Sequence, residues 1–257
     1  MSFFLLNKST KKPIVKTASS KKLVQIELPS KDFIFAQNTI ISSVVLEPNS
    51  FFIKPETNDF VNDNGDSFSN ESTVANYSSF IGAYNYLNHV QDPNQSLGFV
   101  GDAVLRKIIL DKDQNLFNYY VDILVATHKD HKKIVDLILS NQISFLSMGC
   151  DAHITTCSKC GNVYTDEETP YCECLTYNKG KTFIDKKGFQ RRISEVLGTS
   201  EPGSVFFEEA SYLTEPPAFH GAIKRNLLRL GEDSTVVLQV PEESLNRDAI
   251  KKYVGVK

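Results

Sequence analysis

Apolar residues in this chain come mostly in short alternating or clustered runs, the pattern of strands rather than long helices. Asp32-Phe33-Ile34-Phe35-Ala36 and Thr39-Ile40-Ile41-Ser42-Ser43-Val44-Val45-Leu46 lie between Pro29 and Pro48 and predict strands or edge segments between Leu23 and Lys54. Asn115 to Thr127 alternates and is rich in Tyr, Val, Ile and Leu, which predicts a long central strand. Thr127 is positioned to cap a helix running to about Leu139, with Ile134, Val135, Leu137 and Ile138 as its apolar face. A strand from Ile143 to Gly149 follows. Further strands are predicted over Val205 to Leu213 and Val236 to Val240, then a helix opening near Pro241-Glu242-Glu243.

Polar stretches separate these elements. Residues 1 to 22 carry Lys11-Lys12, Ser19-Ser20 and Lys21-Lys22 and are expected to form a flexible, solvated N-terminal arm. Residues 23 to 257 are then one main domain. Asn58 to Asn76 is dense in Asn, Asp and Ser and reads as a surface loop, since Gly65 and the acidic positions do not match a calcium loop.

Composition narrows the functional classes. With 257 residues the chain can bury a sizeable core. Its 28 basic and 31 acidic residues, a formal charge of -3, provide no broad basic face, which disfavours nucleic acid as the main partner. Phe3-Phe4-Leu5-Leu6 is too short for a secretory signal, and no run approaches a membrane span, so a soluble cytoplasmic protein is expected.

The five cysteines, an odd number and mostly clustered, argue against a secreted disulfide framework. Cys157-Ser158-Lys159-Cys160-Gly161 and Cys172-Glu173-Cys174 instead suggest a closed four-thiolate site for structural zinc, folding an insertion of about 151 to 180 into a small lobe. His153 is an alternative fourth ligand. Cys150 reads as a small core residue, with a Cys150–His89 thiol protease as a rival reading. His128 and His131 are expected in the first turn of the predicted helix, exposed and without function.

The candidate chemistry centres on Ser147, in Ile143-Ser144-Phe145-Leu146-Ser147-Met148-Gly149-Cys150, and on the much earlier His89. A hydroxyl nucleophile needs a base beside it and N–H groups aimed at the oxyanion that forms on attack. Distance along the chain is irrelevant, because such residues meet only in the fold.

The order of several segments carries a resemblance. Asn62-Asp63-Asn64-Gly65-Asp66, the stretch from Phe80 to Gln91 that contains His89, Gly98-Phe99-Val100-Gly101-Asp102-Ala103, Tyr120 to Thr127, and Leu146-Ser147-Met148-Gly149-Cys150 resemble the prohead (procapsid) maturation proteases of tailed bacteriophages, relatives of the herpesvirus assembly proteases. The similarity spans about residues 38 to 220. It implies an α+β fold, a compact mixed β-barrel flanked by helices and herpesvirus-protease-like, here with the small zinc-knuckle insertion; similar cysteine-rich insertions occur among these proteases. It also implies a serine endopeptidase with Ser147 as nucleophile and His89 as base.

The family's Glu-Val-Ser-Leu-Val strand with its following Pro-Ala corresponds to Glu209-Ala210-Ser211-Tyr212-Leu213-Thr214-Glu215-Pro216-Pro217-Ala218, which makes Glu209 the group that orients His89. This segment departs from the pattern at Ala210, Tyr212 and Pro217. Glu208 and Asp122 compete for the role, although Asp122 reads equally as a strand carboxylate paired with a Lys or Arg.

By the same resemblance the substrates are the phage scaffold or core protein, the major capsid protein and the protease itself, cleaved inside the assembling prohead in the host cytoplasm. Self-association is left open. Two other classes remain: an inactive, protease-like structural component of the prohead, and a zinc lobe that binds a partner. Lys159 and Lys179 are outweighed on that lobe by Asp166, Glu167, Glu168 and Glu173, which argues against nucleic acid as that partner.

Overall fold

The computed structural model describes residues 22–165 and 169–255. The predicted arm over residues 1 to 22 lies outside them except for Lys22, whose ammonium meets Glu242 at 2.6 Å. In chain order the strands are β1 Leu23–Pro29, β2 Phe33–Ser42, β3 Asp66–Phe68, β4 Tyr84–Leu87, β5 Gly98–Asp111, β6 Leu116–His128, β7 Phe145–Ala152, β8 Thr155–Cys157 and β9 Val163–Tyr164. After them come β10 Thr182–Ile184, β11 Gln190–Arg192, β12 Glu195–Leu197, β13 Val205–Leu213, β14 Ile223–Leu227 and β15 Thr235–Pro241. The α-helices are short: α1 Asn70–Asn76, α2 Lys132–Leu139, α3 Glu173–Asn178 and α4 Asp248–Val254.

Seven strands close into a barrel in the order β13-β4-β5-β6-β2-β14-β7. β13 runs parallel to β4 and antiparallel to β7, so it bridges two stretches that are distant in sequence. Closure leaves these strands no free sheet edge except where a neighbour stops short. The remaining strands form a β1–β15 pair, a β10–β11 hairpin and a four-stranded sheet, β3-β12-β8-β9.

The core is aromatic and β-branched. Phe33, Phe35, Phe80, Phe99, Val121, Ile123, Val125, Phe207 and Tyr212 are all buried in one cluster. Phe80 stacks on Phe207 with ring centroids 3.9 Å apart. Burying a side chain of this size is worth roughly 1.5–3 kcal/mol.

The sequence expectations match unevenly. The predicted strand from Val205 to Leu213 is β13, and the mixed α and β character holds. The helix expected to start at Thr127 begins only at Lys132, because β6 continues through Thr127 to His128. Thr127 is fully buried in that strand, and the His128 ring packs edge-on against Phe33 at 5.0 Å. His131 is the residue that precedes the helix.

Asn58 to Asn76 is not a plain surface loop, since it holds β3 and α1. From Ser67 onward much of its polar content is buried, at Ser67, Ser69, Asn70, Ser72, Thr73 and Asn76; Ser69 caps α1 by accepting from the Ser72 N–H, and the Asn70 side chain donates to Phe117 O at 2.9 Å. A polar composition thus hides a packed helix. Pro241 ends β15 and is followed by a short 3-10 turn, Glu242–Asn246, before α4. Among the described residues no helix is long and apolar enough to cross a membrane.

Candidate active site and cysteine cluster

His89 sits just past the end of β4, in a turn whose two central residues, Asn88 and His89, both have positive φ (51° and 58°). Asn and His are among the non-glycine residues that enter this region most readily, and paired positive φ values mark a tight reversal. The turn is pinned to β13 from both sides of Asn88. Its N–H donates to Tyr212 O at 2.8 Å, and its side-chain oxygen accepts from the Thr214 N–H at 3.0 Å. The backbone of β13 therefore sets where the His89 ring stands.

β13 supplies the ring's partner. Glu209 is 1% exposed, and its Oε1 lies 2.5 Å from His89 Nδ1. Its other oxygen, Oε2, accepts a hydrogen bond from the Ser211 hydroxyl, a fully buried residue two places along the strand. Both oxygens of the carboxylate are thereby engaged. The hydrogen bond to Glu209 raises the His89 pKa above the ordinary imidazole value of 6.5, against the lowering effect of burial. With Nδ1 donating to Glu209, the neutral ring presents Nε2 as its basic nitrogen.

Ser147 lies across β13 from His89. It pairs in register with Ser211, while Gly149 pairs with Glu209, so Ser147, Gly149, Glu209 and Ser211 share one face of the sheet. Glycine at 149 has a steric cause. A Cβ there would stand 2.9 Å from Glu209 Oε1 and 3.1 Å from Gln91 Nε2. Among the described residues no hydrogen bond joins Ser147 to His89; such contacts are often long in unliganded sites and tighten when substrate binds.

The competing carboxylates stand elsewhere. Asp122 accepts from Arg106 at 2.6 Å, from Arg225 at 3.2 Å and from Thr39 at 2.6 Å, which is a structural ion pair. Glu208 occupies the bulge where β13 shifts register between Phe207 and Glu209. Burial, then the nearby Asp151 carboxylate, raises its pKa. Of the three acids, Glu209 is the one that meets His89. Sequence reasoning passed over Ser211 and the Asn88 turn; the Glu-x-Ser spacing and the Asn-His dipeptide carried a signal for each.

Ser147 also lines a cleft of about 460 Å³. One part of its wall is apolar, from Ile40, Phe60, Leu146, Phe219 and Ala222, and another is polar, from Asn62, Asp66, Tyr171 and Glu195. Lys179 crosses behind the polar part, 2.6 Å from both Asp66 and Glu195, and the Tyr171 hydroxyl donates to Glu195 at 2.8 Å.

Tyr171 leads directly into the cysteine cluster. The sulfurs of Cys157, Cys160, Cys172 and Cys174 lie within 4.8 Å of one another, and His153 is not among them. A tetrahedral zinc with Zn–S bonds of about 2.3 Å needs sulfurs about 3.8 Å apart, so the four residues fit a closed structural site. The Cys157-to-Cys160 turn is tightened by the Gly161 N–H on Cys157 O at 2.9 Å, with Gly161 at φ 76°. Burial pushes the Cys157 thiol up to about 12. Burial opposes ionisation at Cys172 too, yet hydrogen bonding with the Tyr164 hydroxyl and neighbouring groups brings it to about 7. Cys150 stands apart in β7 as a half-buried thiol, pushed up to about 12 by burial and the surrounding carboxylates, which makes it a poor nucleophile.

The fold and these two sites define a mixed α+β protein with a closed seven-stranded barrel, a buried glutamate paired with a solvent-accessible histidine beside a cleft serine, and a four-cysteine cluster able to hold a metal ion. No family model matches the chain, and no curated protein or solved structure matches it significantly.

Proposed function

We propose that this chain is a serine endopeptidase of bacteriophage capsid maturation, similar in fold and chemistry to the herpesvirus assembly proteases. The observation that carries the proposal is the contact of His89 Nδ1 with the buried Glu209 carboxylate on the strand paired with that of Ser147. A buried acid holding an imidazole so that its other nitrogen faces outward is the arrangement that general-base catalysis needs.

In the reaction, His89 Nε2 takes the Ser147 hydroxyl proton as Oγ attacks a peptide carbonyl. The resulting imidazolium is stabilised by Glu209 and returns the proton to the leaving amine. Water then attacks the acyl-enzyme, losing its proton to the same nitrogen, which passes that proton to Ser147 Oγ as the acid product departs. Backbone N–H groups near Met148 and Gly149 are the candidates for holding the oxyanion. The substrates are scaffold or core protein, major capsid protein and the chain itself, inside the assembling prohead in the host cytoplasm. Zinc at the cysteine cluster holds the lobe together and takes no part in the chemistry.

A second reading is an inactive structural component of the prohead, favoured by the lack of a Ser147–His89 hydrogen bond among the described residues. One experiment separates them. The protein and its Ser147→Ala variant are co-expressed with the neighbouring capsid and scaffold proteins, and all products are weighed by intact-mass spectrometry. Cleavage that vanishes with Ser147→Ala is the expected result. Intact partners in both cases, with proheads assembled, would leave the structural reading standing.

A further inference from the structure

The polar wall of the cleft grows out of the cysteine lobe. Glu195 of β12 stands opposite Cys157 of β8 on one side and opposite Asp66 of β3 on the other. The three share one rung, so their side chains project from the same face of the sheet. Tyr171 is the residue before Cys172, and Cys172 in turn precedes α3, which carries Cys174 and leads to Lys179 at its end. Each of Glu195, Tyr171 and Lys179 is therefore tied to a thiol by one rung, one peptide bond or one short helix.

A hydrogen-bonded chain runs through these residues. The Tyr171 hydroxyl donates to Glu195 Oε1 at 2.8 Å, and the Lys179 ammonium lies 2.6 Å from Glu195 Oε2 and 2.6 Å from Asp66 Oδ1. Both oxygens of a buried strand carboxylate are thus committed, one of them to a tyrosine that is half-exposed and lines the cleft. The ring of Tyr171 also meets that of Tyr164 edge-on at 4.8 Å, and the Tyr164 hydroxyl accepts the Cys172 N–H at 2.7 Å. Tyr171 is held at one end by the cleft acid and at the other by the backbone that presents a thiol.

The lobe's own buried cluster is small: Cys157, Tyr164, Leu175 and Ile193. So few side chains do not order a segment alone, and a metal that gathers the four thiolates contributes directly to its folding. Ser147, His89 and Glu209 are carried instead by barrel strands and the turn after β4, whose core is the large cluster around Phe99, Phe207 and Tyr212. We propose that Tyr171 and Glu195 are positioning residues that couple metal loading of the lobe to the affinity of the cleft for its polypeptide substrate. This rests on the endopeptidase reading, which supplies the substrate. With the thiolates gathered on one zinc ion, the polar wall is ordered in advance, and binding does not bear the cost of ordering it. Without the ion, Tyr171 and Glu195 lose their fixed spacing and the substrate binds weakly, while the nucleophile and its base keep their geometry.

The test uses the full chain and a fluorescein-labelled peptide spanning a bond mapped by the mass-spectrometric experiment. Binding to the Ser147→Ala variant, which cannot cleave it, is read by fluorescence anisotropy before and after a chelator strips the zinc, with the metal counted by elemental analysis. The expected result is a Kd at least about tenfold higher without zinc, recovered when zinc is returned. Labelling of Ser147 in the unaltered protein by a fluorophosphonate too small to need the polar wall should change by less than about threefold. Tyr171→Phe keeps the thiols and removes only the donor to Glu195. It should retain its zinc, raise KM about tenfold, the worth of about one hydrogen bond, and leave kcat within about threefold. Tyr177→Ala, on the exposed side of the same lobe and outside the cleft, should leave KM unaltered.

Equal Kd values with and without zinc would overturn the proposal, and so would a chain that takes up no zinc. A labelling rate that falls in step with peptide binding overturns it too, because the lobe would then act on the nucleophile itself. If stripping the metal unfolds the whole chain, the zinc-loaded Tyr171→Phe variant decides: a KM equal to that of the unaltered protein defeats the coupling. A wild-type chain that cuts no partner and takes no label defeats the endopeptidase reading itself, whereas labelling and cutting with a zinc-independent Kd defeats only the role given to Tyr171 and Glu195.

Discussion

Glu209 is the side chain on which the proposed endopeptidase reading is most directly tested, because both of its oxygens are committed, one to His89 and one to Ser211. Glu209→Gln keeps the shape and removes the charge, so kcat/KM on a cleaved peptide should fall by about 10³- to 10⁴-fold. The pH dependence follows from the raised His89 pKa. If His89 is the general base, the neutral ring is the active form, so activity should climb with pH through a midpoint above 6.5, and Glu209→Gln should move any residual midpoint lower, as read from the pH profile of kcat/KM. Stability runs the other way: a pKa raised by folding contributes fully below the unfolded value and is lost as pH rises through the folded one. The wild-type advantage over Glu209→Gln in urea midpoint should therefore shrink as pH passes the His89 titration. Gly149→Ala tests the same spot sterically. A methyl 2.9 Å from the Glu209 carboxylate must displace it, and activity should drop while the chain stays folded by circular dichroism.

At the scale of elements, strand pairing converts sequence spacing into a site. β13 runs between β4 and β7 and so carries Glu209 between the His89 turn and the Ser147 strand. The four-stranded sheet does the same for the cysteines, since β8 ends at Cys157 and pairs with β12, whose Glu195 lines the cleft. The cluster should hold one zinc per chain, measured by elemental analysis. Cys157→Ser should lose that zinc and expose the lobe to proteolysis near the 173–178 helix, because structural zinc contributes directly to folding. Retention of zinc by Cys157→Ser would sink the four-thiolate site.

Across the whole molecule, the barrel gives its two buried strand acids different partners. Asp122 is a buried strand acid like Glu209, yet its bonds to Arg106, Arg225 and Thr39 tie together four barrel strands. Arg106 and Arg225 are part-exposed and stay solvated when the carboxylate loses its charge, so the loss is that of charge-assisted hydrogen bonds to a buried group, about 1.5–3 kcal/mol. Asp122→Asn should therefore lower the stability measured by urea unfolding by about that amount and leave kcat within a few-fold of wild type. A loss of activity comparable to that of Glu209→Gln, in a folded variant, would mean that Asp122 serves the reaction.

Strands whose patterning is local could be read along the chain: β13 and most of β2, β6 and β15 were legible from runs of β-branched and aromatic residues. The Cys-x-x-Cys and Cys-x-Cys knuckles were legible too, because close spacing already brings thiolates together. Elements whose cause is distant were not. Thr127 continues a strand because it is buried in the barrel, where ladder bonds outweigh a capping preference. The polar α1 is stabilised by partners on β6 and in the loop before β13, which no local pattern reveals. Ser147, His89 and Glu209 could be named one by one as candidates, but choosing Glu209 over Asp122 and Glu208 as the partner of His89 was decided by the tertiary structure. The reason is physical: the role of a buried carboxylate is set by the partner that offsets its desolvation, and that partner is supplied by strand pairing across the barrel rather than by neighbours along the chain.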